Sequence, residues 1–227
     1  MKKENPIEAL IAQGEHQQLD FKFEVSDSKK IARTLSAFAN TDGGRLLIGV
    51  KDNGNIAGVR SEEEFYMIEA ASNMYTKPVV PFTATRWEVS GKTVLEVYIA
   101  PSDQKPHSAP DKDDKYKAYI RVADENKLAN AVLLLAWKKK ERTSGLLLML
   151  TRPVETLLTY LEHHHYINIK QFCRIAHIKY YTALNVLSDL MAIGTLKYIV
   201  VNKQIVYSMT EKKNHPDSII NKKSGII

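Results

Sequence analysis

Residues 35–58 read LSAFANTDGGRLLIGVKDNGNIAG, a stretch that demands a helix end, a glycine turn, a buried strand and an acidic turn in close succession. Ile31, Ala32, Leu35, Phe38 and Ala39 recur at helical spacing, so this helix has one apolar face and must pack it against another element. Asn40 to Gly44 ends the helix, because Gly43 and Gly44 suit a backbone that turns with positive φ past a helix C-terminus. Arg45 to Val50 then reads as a short buried strand that delivers Asp52 into the turn Asp52-Asn53-Gly54, whose residues favour a tight reversal before Asn55 to Val59.

Upstream, Gly14-Glu15-His16-Gln17-Gln18-Leu19-Asp20-Phe21-Lys22 leads into an alternating run. Leu19, Phe21 and Phe23 share one face of that strand, and Asp20, Lys22 and Glu24 share the other. An acidic residue, an acidic-Phe-Lys strand and then AFANT-GG-LLIGV-D-G-I-G together resemble the AlbA-like DNA-binding domain of bacterial regulators and Schlafen proteins. Lys105-Pro106-His107 and Tyr119-Ile120-Arg121-Val122 fit the same family's downstream loop and strand. The resemblance covers roughly the first 140 residues, with dense matching at Glu15 to Lys22 and Ala37 to Gly58. It implies a mixed sheet with helices.

The resemblance also carries an activity, because in Schlafen ribonucleases the residues matching Glu15, Asp20 and Asp52 form the cutting site. Three converging carboxylates would hold Mg²⁺ or Mn²⁺ to activate water on a phosphodiester, and Lys22 would steady the developing charge. Two departures bear on this. Asp20 stands where Glu is usual, which withdraws the carboxylate by one methylene, and the chain has one copy of a domain that Schlafen cores pair. The competing reading of the same residues is a polar outward strand face followed by an Asx turn.

The chain has 227 residues, 44% of them hydrophobic, enough for two modest cores. The expected division is an AlbA-like domain over 1–142, a link over 143–152, a second module over 153–210 and a disordered tail over 211–227. No apolar run is long enough to span a bilayer and the first residues lack a signal-peptide core, so a soluble, cytoplasmic protein is expected. Cys173 is the single cysteine, which excludes an internal disulfide and a cysteine-based zinc knuckle. Charge is uneven: residues 1–137 carry 18 Lys+Arg and 20 Asp+Glu, whereas residues 138–227 carry 14 and 6. A distal balance of +8 is the electrostatic footprint of a polyanion binder, although solubility alone also accounts for a basic surface.

Along the first domain the pattern predicts a short helix from Asn5-Pro6 to Gly14 and a helix from Ser26 or Asp27 to Asn40. A third helix is expected over 61–75, with Glu62, Glu63 and Glu64 at the positive end of its dipole. Residues 82–89 and 93–99 read as a hairpin, 101–115 as a mobile surface loop, and 115–122 as a strand. Leu128, Val132, Leu135 and Ala136 mark a helix running into Lys138-Lys139-Lys140. Lys138 to Arg142 suits either phosphate contact or a solvated helix end.

Beyond Pro153 three short helices, over 155–163, 168–176 and 179–193, precede two β-rich runs, 195–201 and 204–209, joined at Asn202-Lys203. This order resembles a winged helix-turn-helix. On the third helix Tyr181, Leu184, Leu187, Leu190 and Met191 fit an inward face, leaving Lys179, Tyr180, Thr182, Asn185 and Ser188 outward. Those outward types suit a duplex: Lys, Tyr and Thr bond phosphate oxygens, Asn bonds adenine edges, and Lys197 and Lys203 on the wing reach the adjacent backbone. The bland alternative is a winged helix used only for protein contacts.

The expected whole is an α+β protein, an AlbA/Schlafen-like mixed sheet with helices joined to a C-terminal winged helix. Its expected role is that of a bacterial transcriptional regulator binding double-stranded DNA, RNA being a second possible partner, as a homodimer on two-fold operators. No cofactor is expected unless the metal-dependent nuclease reading holds. Asp42-Gly43-Gly44 has no phosphate-cradling lysine run around it, and turn geometry accounts for its glycines. His163-His164-His165 reads as a solvated helix end, since adjacent residues point apart and cannot converge on a metal.

Overall fold

The computed structural model describes residues 6–141 and 149–211; the expected link over 143–152 falls partly outside these, and the expected tail does so from residue 212. In the first half, α1 (Pro6–Ile11), β1 (Leu19–Lys22), α2 (Ser28–Asn40), β2 (Gly44–Ile48), α3 (Glu63–Tyr75), β3 (Thr83–Val89) and β4 (Lys92–Ile99) build one layer system. Its sheet runs β1-β2-β4-β3, parallel between β1 and β2 and antiparallel elsewhere. Parallel neighbours need a crossover connection, and α2 is that crossover.

Both faces of the sheet are covered. Leu19, Phe21, Leu47, Val50 and Val94 pack under Ile7 of α1, whereas Leu46, Ile48, Leu95 and Val97 pack with Leu35, Phe38 and Ala39 of α2. The alternation over 19–24 therefore does not separate core from solvent. Asp20 pairs in register with Leu46 and is only 3% exposed, which corrects the expectation of a polar outward face there.

Asp27 caps α2, its Oδ1 accepting from the amides of Lys29 at 2.8 Å and Lys30 at 3.2 Å. At the other end Gly43 has φ +70°, and a Cβ there would lie 2.7 Å from the Ile99 carbonyl oxygen. A Cβ on Gly44 would meet the Phe38 ring at 2.5 Å, so the chain can double back under its own helix only without side chains. Just before this turn Asn40, 1% exposed, donates from Nδ2 to the carbonyls of His107 at 2.7 Å and Tyr119 at 2.8 Å and accepts the His107 amide at 2.8 Å.

These bonds draw in a second sheet, β5 (Ser108–Pro110), β6 (Tyr116–Val122) and β7 (Glu125–Leu128), antiparallel in that order. The expected surface loop over 101–115 thus contains a strand, with His107, Ala109 and Pro110 buried. β7 is likewise absent from the sequence reading: Leu128 belongs to it and is 56% exposed, instead of opening a helix face. The helix α4 (Ala131–Lys140) starts only after Asn130, whose Oδ1 accepts the Leu133 amide at 3.1 Å.

The second half comprises α5 (Arg152–His163), α6 (Ile169–Ile175), α7 (Tyr180–Ala192), β8 (Leu196–Val201) and β9 (Gln204–Met209). Asn168 and Gln171 form a reciprocal capping box at α6, and the hairpin turns at Asn202 and Lys203 with φ of 50° and 59°. Leu157, Leu161, Phe172, Ala183, Leu187 and Leu190 make its core, to which α4 contributes Val132. The core is shared. Leu133 of α4 and Ile120 and Val122 of β6 meet Met191, Tyr198, Val200 and Ile205, and Asn130 Nδ2 donates to the Tyr207 hydroxyl at 3.0 Å.

Two expectations follow. Asn40→Ala removes three bonds to buried main-chain groups, of which the His107 carbonyl keeps the Ser36 hydroxyl at 2.8 Å, and should cost on the order of 2 kcal/mol in urea unfolding. A fragment over 150–211 should lack a cooperative thermal transition by circular dichroism, whereas one over 129–211, which restores α4, should regain it.

Candidate nucleic-acid interface

β1 and β6 bring Asp20 and Arg121 together on the α2 side of the sheet. Arg121 is 1% exposed, its Nη2 lies 2.8 Å from Asp20 Oδ1, and its guanidinium sits 5.2 Å from the centre of the Phe38 ring. Lys22 Nζ is 2.7 Å from the other carboxylate oxygen of Asp20 and gives its hydrogen bond to the Phe21 carbonyl. Glu15 joins the group: its Oε1 accepts the Phe21 amide at 2.8 Å. Burial pushes the Glu15 carboxyl above its ordinary pKa and the adjacent Asp20 adds to this, while the Phe21 amide and Lys22 pull the other way.

Asp52 stands apart from them, exposed in the turn after β2. Among the described residues no group of three His, Cys, Asp or Glu side chains could hold a metal ion. Glu15, Asp20 and Asp52 as placed do not fit Mg²⁺ or Mn²⁺, because Asp20 is already compensated by two cations and Asp52 points its charge into solvent. The shorter Asp20 is the residue that sits against Arg121. What the group does here is hold β1 to β6 with a buried ion pair.

In the second half, the outward set splits. Lys179, Thr182 and Tyr180 are exposed at the start of α7, and Tyr181, expected inward, is 77% exposed beside Tyr180. Ser188, expected outward, is fully buried: its hydroxyl accepts from Lys139 Nζ of α4 at 2.8 Å. The same ammonium pairs with Asp189 at 2.8 Å and reaches the Asn185 carbonyl at 3.3 Å. The side of α7 that carries Ser188 and Asp189 thus faces α4, while its first turn and Asn185, expected outward, are exposed.

The hairpin lysines are engaged too. Lys203 Nζ lies 2.7 Å from Glu125, its carbonyl accepts from Lys127 at 3.3 Å, and Lys197 pairs with Glu211 at 3.3 Å. Lys203 holds the Glu125 carboxyl below, and Glu125 holds the Lys203 ammonium above, their ordinary values. By contrast Lys170, Arg174 and Lys179 make no ion pair among the described residues. Lys170 and Arg174, on α6, carry no periodic or motif signal in the sequence. α6 packs against α7, the helix that Lys179 precedes.

His163, His164 and His165 are exposed at the end of α5, where His164 stacks on Tyr160 at 3.9 Å and contacts its carbonyl. Of the α4 lysines, Lys138 and Lys140 are exposed and Lys139 is buried; Arg142 lies outside the described residues.

The ion pair and the turn should separate on mutation. Asp20→Asn strands a buried guanidinium and should lower stability by about 3 kcal/mol, while Asp52→Ala should stay within about 0.5 kcal/mol of the parent, read by denaturant melts. Equal losses would mean that Asp20 and Asp52 act as one unit.

Residues 15–130 match the sequence profile of the family described as Schlafen, AlbA_2. No curated protein matches the chain. Among solved structures, the DIP2311 protein from Corynebacterium diphtheriae is 20% identical over 59% of this chain and 27% of its own, with a TM-score of 0.43. The chain thus spans about a quarter of that protein's length. The N-terminal domain of a RecG-related protein from Nitrosomonas europaea is 23% identical over 52% of this chain and 90% of its own, with a TM-score of 0.35. The profile match covers half of the chain, including β1, the glycine turn and the Arg121 strand, and the protein belongs to the Schlafen AlbA_2 family.

Proposed function

We propose that this protein binds duplex DNA as a transcriptional regulator, with α5–α7 and β8–β9 serving as a winged helix-turn-helix whose α7 enters the major groove by its first turn. The observation that carries this reading is the surface made by Lys170, Arg174, Lys179, Tyr180, Tyr181 and Thr182, which is exposed and cationic without acidic partners among the described residues. Amides of the first turn of α7 are unpaired by any side-chain cap, so they add donors for a phosphate. Family membership supports nucleic-acid binding in general; the choice of duplex DNA rests on the helix order.

This reading revises the contact set. Asn185 stays exposed with its carboxamide oxygen 3.4 Å from Lys139 Nζ and is kept as a groove contact, whereas the Lys203 tip is paired with Glu125 and is dropped. A two-fold operator would call for a second copy of the chain, which sedimentation with and without DNA would reveal.

The test is fluorescence anisotropy of the full chain with a random 25-base-pair duplex, the same sequence as RNA, and a single strand. Arg174→Ala and Lys179→Ala should each weaken duplex binding several-fold and lower the log–log salt slope by about 1. Lys203→Ala should leave affinity unchanged. Undiminished binding in the double variant Arg174→Ala/Lys179→Ala would overturn the proposal, as would no binding in dilute buffer.

A further inference from the structure

Between the two halves runs a cleft that the DNA reading does not use. One lobe, of about 340 Å³, is walled by Trp137 and Lys140 of α4, Lys105 and the end of α7. The other, of about 540 Å³, lies between Thr41 and the outer side of β8, including Tyr198. Lys105 and Met191 line both, so the lobes adjoin.

Lys105 is half-buried with no carboxylate in ion-pair range among the described residues; its ammonium donates to the Thr41 carbonyl at 3.1 Å. Lys140 comes from a different element and is close enough to repel it. Desolvation is the larger cause holding the Lys105 ammonium below its ordinary pKa; the charge of Asp42 opposes this, and Lys140 adds to it. The acids around the cleft act on Lys105 only through space, Asp103 adding to Asp42, and neither forms an ion pair with it. Asp42 accepts from Gln17 Nε2 at 3.1 Å, and Asp103 and Glu141 are exposed at the rim. Lys105 and Lys140 line one lobe, with Asp103 and Glu141 at its rim and neither lysine in an ion pair among the described residues; paired cations are what a dianion requires, and the Trp137 indole and Met191 thioether in the same lobe offer a flat apolar wall.

We propose that this cleft binds a small aromatic phosphate monoester, the phosphate between Lys105 and Lys140 and the ring against Trp137. The site is independent of the DNA reading. It touches both α4 and the C-terminal end of α7, so an occupant braces the contact between the halves.

The chain has two tryptophans, Trp87 and Trp137, so Trp87→Phe in the full-length protein leaves Trp137 as the only indole. In that background phenyl phosphate should quench the emission saturably with a Kd below about 1 mM, inorganic phosphate should compete more weakly, and phenol should not saturate. Lys105→Met and Lys140→Met should each weaken phenyl phosphate at least tenfold, as expected for a charge-assisted contact about 1.4 kcal/mol or more in worth. Lys140 is exposed, so its variant decides if Lys105→Met fails to fold. No saturable quench up to about 10 mM, or equal affinity in Lys140→Met, would overturn the site.

Discussion

The carboxamide of Asn40 is the point from which the rest of the structure is held. It sits where α2 ends and the glycine turn begins, and its three bonds fix the His107 and Tyr119 main chains against the helix. Its neighbour Thr41 extends the same junction, taking the Arg121 amide on its hydroxyl at 2.9 Å and the Lys105 ammonium on its carbonyl. A buried amide whose donors and acceptor are all satisfied specifies one arrangement, since any slip of β6 strands several groups at once. The Asp20–Arg121 pair depends on that arrangement. β6 must be in this register for the guanidinium to arrive over Phe38.

α4 then ties this frame to the second half. Its apolar side feeds both cores, and Lys139 places a charge among Ser188, Asp189 and Asn185 on α7. A lysine this buried is tolerated because an aspartate and neutral acceptors surround it, and the loss of either partner would leave a charge in the interior. The consequence for function is geometric. The helix proposed to meet DNA is not a free reader on a tether but is oriented by contacts to α4, and the hairpin is docked on β6 and β7.

Local chemistry was legible in the residues. The Gly43 turn, the Asp27 cap, the Asn168 start of α6 and the Asn202-Lys203 reversal all depend on groups within a few positions, and each lies where its residues predict; Gly44, read with Gly43 as positive-φ, instead opens β2. What escaped was set by packing. Asp20 alternates like a half-exposed strand residue, but α1 covers one face and α2 with β6 covers the other, so period two no longer marks solvent. The 101–115 segment lacks any apolar period, and its order comes from Asn40, some 67 residues away from His107. Ser188 and Tyr181 exchanged roles because α4, assigned to the first domain, occupies the side of α7 taken to be open.

Net charge misplaced the basic surface for a related reason. Of the 14 distal Lys+Arg, 6 lie in 149–211 against 4 acidic residues, so most of the imbalance belongs to 138–142 and to residues beyond 211. Within 149–211, Lys197 and Lys203 are matched by Glu211 and Glu125. What a phosphate meets at close range is governed by charges inside a Debye length of roughly 8 Å, not by the total. Lys170, Arg174 and Lys179 are exposed on α6 and at the start of α7 and make no ion pair among the described residues. The proposed polyanion contact therefore rests on these unpaired cations and not on the sum over the chain, with the exposed Tyr180 and Tyr181 following Lys179 in sequence.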